Sequence, residues 1–319
     1  MPRYTRNQAI LAKIETTTGT DAAPAAATDA LLVSNLQVKT YDAKYTNRNL
    51  MYPYFGSADD IPVYGYVSGS FDVELAGSGA AGTAPAWGKV LRMSAMAEVI
   101  TAGSRVEYTP ISTGMESATI YYYRDGYLRK ALGCRATFKA GLKYGDIPKL
   151  SVSFTGLDGG DAVVANPSPV YSPWKTPLPV NQANSSKVVL GGTYATGAIS
   201  GGTQSVTGGL EIDLGGKVVF TELIGGEAVD FVDRNVTGKI VIDADATTEK
   251  SNLDAIKAIT KQSIGMVHGV AAGGRVLVYL PSCQLKSPEL SDQNGRMLQG
   301  YEFMGIPING NDELRIVAL

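Results

Sequence analysis

The chain has 319 residues, 44% of them hydrophobic and 18% charged, with a formal net charge of -2; that length is a soft prior for two domains with a buried core. No block of Lys and Arg is present, so a phosphate-driven grip on nucleic acid is not expected, though passive contact with DNA stays open. Two cysteines, Cys134 and Cys283, exclude a disulfide scaffold and read as buried thiols, and neither a secretion signal nor an apolar run of the ~20 residues a membrane helix needs is visible, so a soluble cytoplasmic protein is expected.

Residues 1–34 read as an N-terminal arm low in structure, around Thr16–Pro24. A first β domain is expected over 35–156. Alternating residues from Leu36 to Lys44 run on to Leu50, and Val67–Glu74 alternates strictly, the mark of a half-buried strand. A helix is predicted over Pro85–Ala97, since proline suits a first helical turn. A strand follows at Arg105–Tyr108, then an extra hairpin near 115–130 that turns at Asp125-Gly126, then a strand at Lys149–Gly156. A linker spans 157–186, where Pro167, Pro169, Pro173, Pro177 and Pro179 favour an extended path.

A second β domain is expected over 187–319. It opens on Leu210–Lys217, running on to Leu223, and continues with Val236–Asp243. A helix is predicted over Ser251–Lys261, capped by Ser251 and carrying Leu253, Ile256 and Ile259 as an apolar stripe. Strands follow at Arg275–Val278 and Leu298–Gly305. The two series match in order: Leu36 with Leu210, Val67-Ser-Gly with Val236-Thr-Gly, helix with helix, Arg105–Tyr108 with Arg275–Val278, Lys149–Gly156 with Leu298–Gly305. The expected fold is therefore mainly β: two tandem related sandwich or half-barrel domains, each with one helix, arising by internal duplication.

Enzyme-like motifs are thin. Gly77-Ser-Gly79-Ala-Ala-Gly82 matches a dinucleotide fingerprint, but Thr83, Ala84 and Pro85 separate it from the helix and no suitable acidic residue follows. The counterpart segment, Ala244–Lys250, has no glycine. His268 is the single histidine and cannot build a multi-histidine metal site. Asp158–Asp161 and Asp243–Asp245 read as solvated turns, and Tyr121–Tyr123 as cross-strand packing. No catalytic, cofactor-binding or metal-binding residue is assigned, and no cofactor is expected.

Several phrases resemble phage tail tube proteins of the long-tailed type: Leu11–Asp21 with Pro24, Leu32–Leu36, Phe71–Gly88, Glu116–Tyr123, Gly145–Leu150, Pro177–Asn181 and Gly310–Leu314. The resemblance spans nearly the whole chain. It implies a non-enzymatic virion subunit, assembled in the host cytoplasm, that self-associates into stacked rings around a DNA conduit, with tape measure, tail terminator and tail-tip proteins as partners. It favours a tail without a sheath. Such tubes often hold six single-domain subunits per ring, so a duplicated chain implies three chains in a pseudo-six-fold ring and a ring-forming β-barrel.

A basic lining would trap sliding DNA. The polar positions Ser70, Asp72, Glu74, Ser151, Ser153, Glu211, Asp213 and Asp243 are accordingly the lumen candidates. Contacts between rings or subunits are expected from the arm, the 77–86 loop and the linker, with Tyr4, Ile10, Ile14, Thr18, Trp87 and Trp174 as candidates. The competing readings are another β-rich virion module (capsid decoration, tail fibre or carbohydrate-binding protein) and an oxidoreductase using the glycine string.

Overall fold

A computed structural model describes residues 3–243 and 245–319; Met1 and Pro2 of the expected arm, and Ala244, lie outside the described residues. The chain opens with β1 (Gln8–Ile14), β2 (Ala30–Leu31), β3 (Ser34–Asn47) and β4 (Asp60–Glu74). Helix α1 (Gly88–Arg92) follows, then β5 (Met96–Thr101), β6 (Arg105–Pro110), β7 (Ala118–Arg124), β8 (Tyr127–Lys143) and β9 (Lys149–Val163). The later part contains β10 (Val188–Leu190), β11 (Thr193–Ala195), β12 (Ala198–Ser200), β13 (Thr203–Asp213), β14 (Lys217–Leu223), β15 (Gly226–Asp233) and β16 (Thr237–Asp243). Helix α2 (Ala246–Lys257), β17 (Gln262–His268), β18 (Val276–Gln293), β19 (Arg296–Gly305) and β20 (Arg315–Ala318) complete it. The fold is mainly β with two short helices among the described residues, and its sheets do not close into a barrel within one chain.

Each half places four antiparallel strands side by side in the same order, β3-β4-β9-β8 and β13-β16-β19-β18. The registers also coincide. Val38 lies opposite Gly69, which lies opposite Phe154; Ile212 lies opposite Gly238, which lies opposite Phe303. Both glycines sit against the phenylalanine ring of the neighbouring strand, where a Cβ would collide with it. The large side chain thus fills the gap the missing one leaves, and close packing of that kind resists substitution. Beyond each quartet, β8 carries β7 and then β1, and β18 carries β17 and then β10.

The quartets meet where β13 pairs with β8, from Gly209 opposite Lys143 to Asp213 opposite Lys139. One hydrophobic cluster runs through both halves and includes Phe71, Trp87, Phe138, Phe154, Ile240, Tyr301 and Phe303. Alternation accounts for it: along β4, Phe71 and Val73 face the core while Ser70 and Asp72 face outward.

Several sequence expectations are corrected. The N-terminal segment is built into the sheet. β1 pairs with β7 along its length and with β2 on its other side, and Ile10, Leu11 and Ala12 are buried. Buried Glu15 fixes the segment further: its carboxylate accepts from Gly19 N at 2.8 Å, Ser117 Oγ at 2.7 Å, Thr119 Oγ1 at 2.8 Å and Gly133 N at 2.8 Å. A run of four adjacent buried residues, Ala9 to Ala12, carries no alternation, which is why it read as unstructured.

Both helices are displaced from their expected bounds. α1 covers only Gly88–Arg92, and Ala95 adopts a left-handed conformation just beyond it. α2 starts at Ala246 because Asp245, not Ser251, caps it, its side chain accepting from Thr248 N at 2.7 Å. Leu253 and Ile259 are exposed while Ile256 packs against the core, so the predicted apolar stripe is covered within this chain at Ile256 alone.

The hairpin at Asp125-Gly126 is present as β7–β8, with both turn residues at positive φ, as a two-residue turn of this kind requires. It is not the extra element. β18 is matched in sheet position by β8, not by β6, and β5–β6 instead extends the sheet at β20.

Candidate assembly surfaces

The lumen candidates converge on one outward face. Ser70 lies opposite Ser153, Asp72 opposite Ser151 and Glu74 opposite Lys149 across β4 and β9. Glu211 lies opposite Lys239 across β13 and β16, and Asp213 lies opposite both Thr237 and Lys139. Asp243 falls at the end of the same alternation, ion-paired with Arg296. A groove of about 530 Å³ on this face, between Lys139, Lys149, Glu211, Asp213, Lys239 and Glu302, spans the seam between the quartets.

The face is charge-balanced, because lysines of neighbouring strands meet the carboxylates: Lys149 with Asp72 at 2.9 Å, Lys139 with Asp213 at 2.9 Å and Lys239 with Glu289 at 2.8 Å. Burial pushes the Asp72 carboxyl up, but hydrogen bonds from Ser151, Lys149 and Asn35 outweigh it and hold the group below its ordinary value. The sequence offered the signal for these lysines, since each occupies an outward position of an alternating strand. Cross-strand partners, however, are set by register.

The inter-ring candidates divide. Tyr4 and Thr18 are exposed, whereas Ile10 and Trp87 are core residues, the Trp87 indole donating to Ala76 O at 2.7 Å. Ile14 packs on the core edge. Half-buried Trp174 donates to Ala30 O at 3.0 Å, anchoring the linker to β2. The Trp87 indole, buried and already satisfied inside the chain, is not offered to a neighbour.

The 77–86 loop is likewise engaged within the chain. Gly79 N donates to Gly273 O at 2.8 Å, and a Cβ at Gly77 would collide with that same carbonyl. The glycines therefore permit backbone-to-backbone approach. Buried His268 joins the linker to β17, its ring nitrogens meeting Ser185 Oγ at 2.9 Å and Leu178 O at 3.1 Å. Tyr121 and Tyr123 pack in a buried cluster with Leu11 and Leu128. Cys134 and Cys283 are free and buried, and burial raises both thiols.

Sequence reading missed the two hairpin ends. The outer part of β3–β4 ends in the 48–59 loop, where Met51 is 97% and Phe55 108% exposed. The outer hairpin β14–β15 ends at Leu223 and Ile224, the latter 109% exposed. Phe220 of β14 packs on Tyr64 and Tyr66 of β4, with ring centroids 5.2 and 5.0 Å apart, so the two hairpins lie together. Exposed apolar side chains grouped at two adjacent tips mark a contact surface.

A sequence model of a family described as "Phage tail tube protein" matches residues 5–309. No curated protein matches the chain.

Proposed function

The chain belongs to the phage tail tube protein family, and from that premise we propose that it forms closed rings, three chains to a ring, which stack into a tube that conducts double-stranded DNA during ejection. The carrying observation is the seam between β8 and β13. There, two quartets of matching order and register already sit edge to edge within one chain. Repeating that relation around an axis would satisfy the remaining edges and close the sheet as a barrel shared between chains. Matching order and register support descent of the halves from one duplicated domain, and with it three chains standing where six single domains would.

The chain is thus a structural subunit of the virion tail, assembling with other tail proteins. In the proposed reading those include the tape measure, terminator and tip proteins, and assembly takes place in the host cytoplasm. The charge-balanced face lines the lumen: its lysines are neutralised by neighbouring carboxylates, which limits the phosphate contacts that would hold DNA. Electron microscopy of the purified protein tests the reading, with hollow tubes as the expected result and a stable isolated monomer as the contrary one.

Introducing Ser70→Lys, Ser153→Lys and Glu211→Lys together places uncompensated positive charge on this face. Ejection from phage carrying the triple variant is expected to slow and to become salt-dependent. Ejection at the native rate would place the face elsewhere than the lumen.

A further inference from the structure

Resting on the ring-forming reading, we infer that the ring closes by antiparallel pairing of β18 of one chain with β3 of the next, in the register that the β8–β13 seam already uses. Among the described residues both edges are free: β3 pairs only with β4, and β18 beyond Cys283 pairs only with β19. β8 is arranged in the same way: β7 occupies its edge up to Cys134, and β13 takes that edge over from Lys139 to Lys143. On β18, β17 occupies the edge up to Cys283, and residues 286–293 continue it, exposed and unpaired on that side.

The register follows from the positions opposite the shared neighbours. Lys139 faces Ser151 and Glu289 faces Gly300, which stand at matching places in β9 and β19. Lys39 faces Ser68 and Asp213 faces Thr237, at matching places in β4 and β16. Asp213 pairs with Lys139 within the chain. Between chains the same geometry sets Lys39 opposite Glu289, Val38 opposite Leu290 and Gln37 opposite Ser291.

Charge supports this register. The internal seam holds Lys139 on one strand and Asp213 on the other, 2.9 Å apart. The external seam would hold Glu289 and Lys39, the same ion pair with its signs exchanged between the two strands. A strand slip by one residue would separate them and turn Val38 to the wrong face. Leu290, exposed by 59% on the side that elsewhere faces the core, gains cover from Val38. Exchanged signs also keep the two seams distinct: a β3 edge meeting β8 would set Lys39 against Lys139, a like-charge pair that selects against that docking.

Crosslinking tests the assignment directly. In Gln37→Cys/Ser291→Cys, directly opposed residues come within disulfide reach, and the buried native thiols do not compete. Mild oxidation of assembled material is expected to give covalent dimers and trimers on a non-reducing gel, while Gln37→Cys/Asp292→Cys gives neither. Tubes that form normally in the microscope without crosslinks would overturn this register and leave the tube reading standing. Absence of tubes or rings from the unmodified chain would overturn both.

Charge reversal is the second arm. Lys39→Glu and Glu289→Lys are each expected to reduce the assembled fraction several-fold. The double variant Lys39→Glu/Glu289→Lys restores it. No loss in either single variant, or no recovery in the double, would remove the ion pair from the junction.

Discussion

A chain lacking residues 1–20 is expected not to reach its native fold. The sequence alone suggests the opposite, a detachable arm whose loss leaves the domains intact. In the structure that deletion removes β1, which is hydrogen-bonded on both edges, together with buried Ile10 and Leu11 and the Glu15 carboxylate. Each large apolar side chain contributes about 1.5–3 kcal/mol by burial. Loss of Glu15 leaves the three donors that remain around one buried site, two hydroxyls and the Gly133 backbone N–H, without their acceptor. Unsatisfied buried groups cost about 1–3 kcal/mol each.

Together these losses rival a whole domain stability of about 5–15 kcal/mol. Circular dichroism and limited proteolysis should therefore show a protease-sensitive chain without a cooperative transition. The gentler Glu15→Ala should fold but lose about 2–4 kcal/mol in denaturant titration. A truncated protein that melts cooperatively near the native temperature would return the segment to the status of an arm.

The second large effect concerns stacking. Met51→Ser, Phe55→Ser and Ile224→Ser together are expected to leave monomer stability unchanged, because all three side chains already meet solvent in the isolated chain. Growth of rings into tubes should fail. Burial of such side chains against a neighbouring ring is worth about 1.5–3 kcal/mol each, and a closed ring repeats the contact in every chain. Electron microscopy and sedimentation should find rings or monomers where the unmodified chain gives long tubes. Tubes of normal length from the variant would assign stacking to another surface, with exposed Leu253 of α2 and Ile259 just beyond it next in line.

The parts of this fold that were legible in the sequence are those where a strand buries one face only. Val67–Glu74 and Val236–Asp243 announce themselves by alternation, and the match of Leu36 with Leu210 and of Lys149–Gly156 with Leu298–Gly305 is the register the strands adopt. The polar face was legible for the same reason, since outward positions alternate with core positions. β1 was not, because its buried residues are consecutive and it is covered on both faces.

Non-local pairing was also hidden. No local pattern shows that β8 receives β13, or that β20 lies between β18 and β6, since such partners are chosen by tertiary packing. The hairpin tips were overlooked because exposed apolar residues in a loop have no period to detect. Trp87 was misplaced because an indole beside a glycine string reads equally well as a surface anchor or as core. Only the Ala76 carbonyl, brought near by the fold, decides it.

In the proposed ring, two quartets joined edge to edge in one chain repeat that junction between chains until the circle closes. The mass of a single solubilised ring measures this most directly. Three full-length chains, each contributing two quartets, are expected; a ring of six full-length chains would rule this closure out.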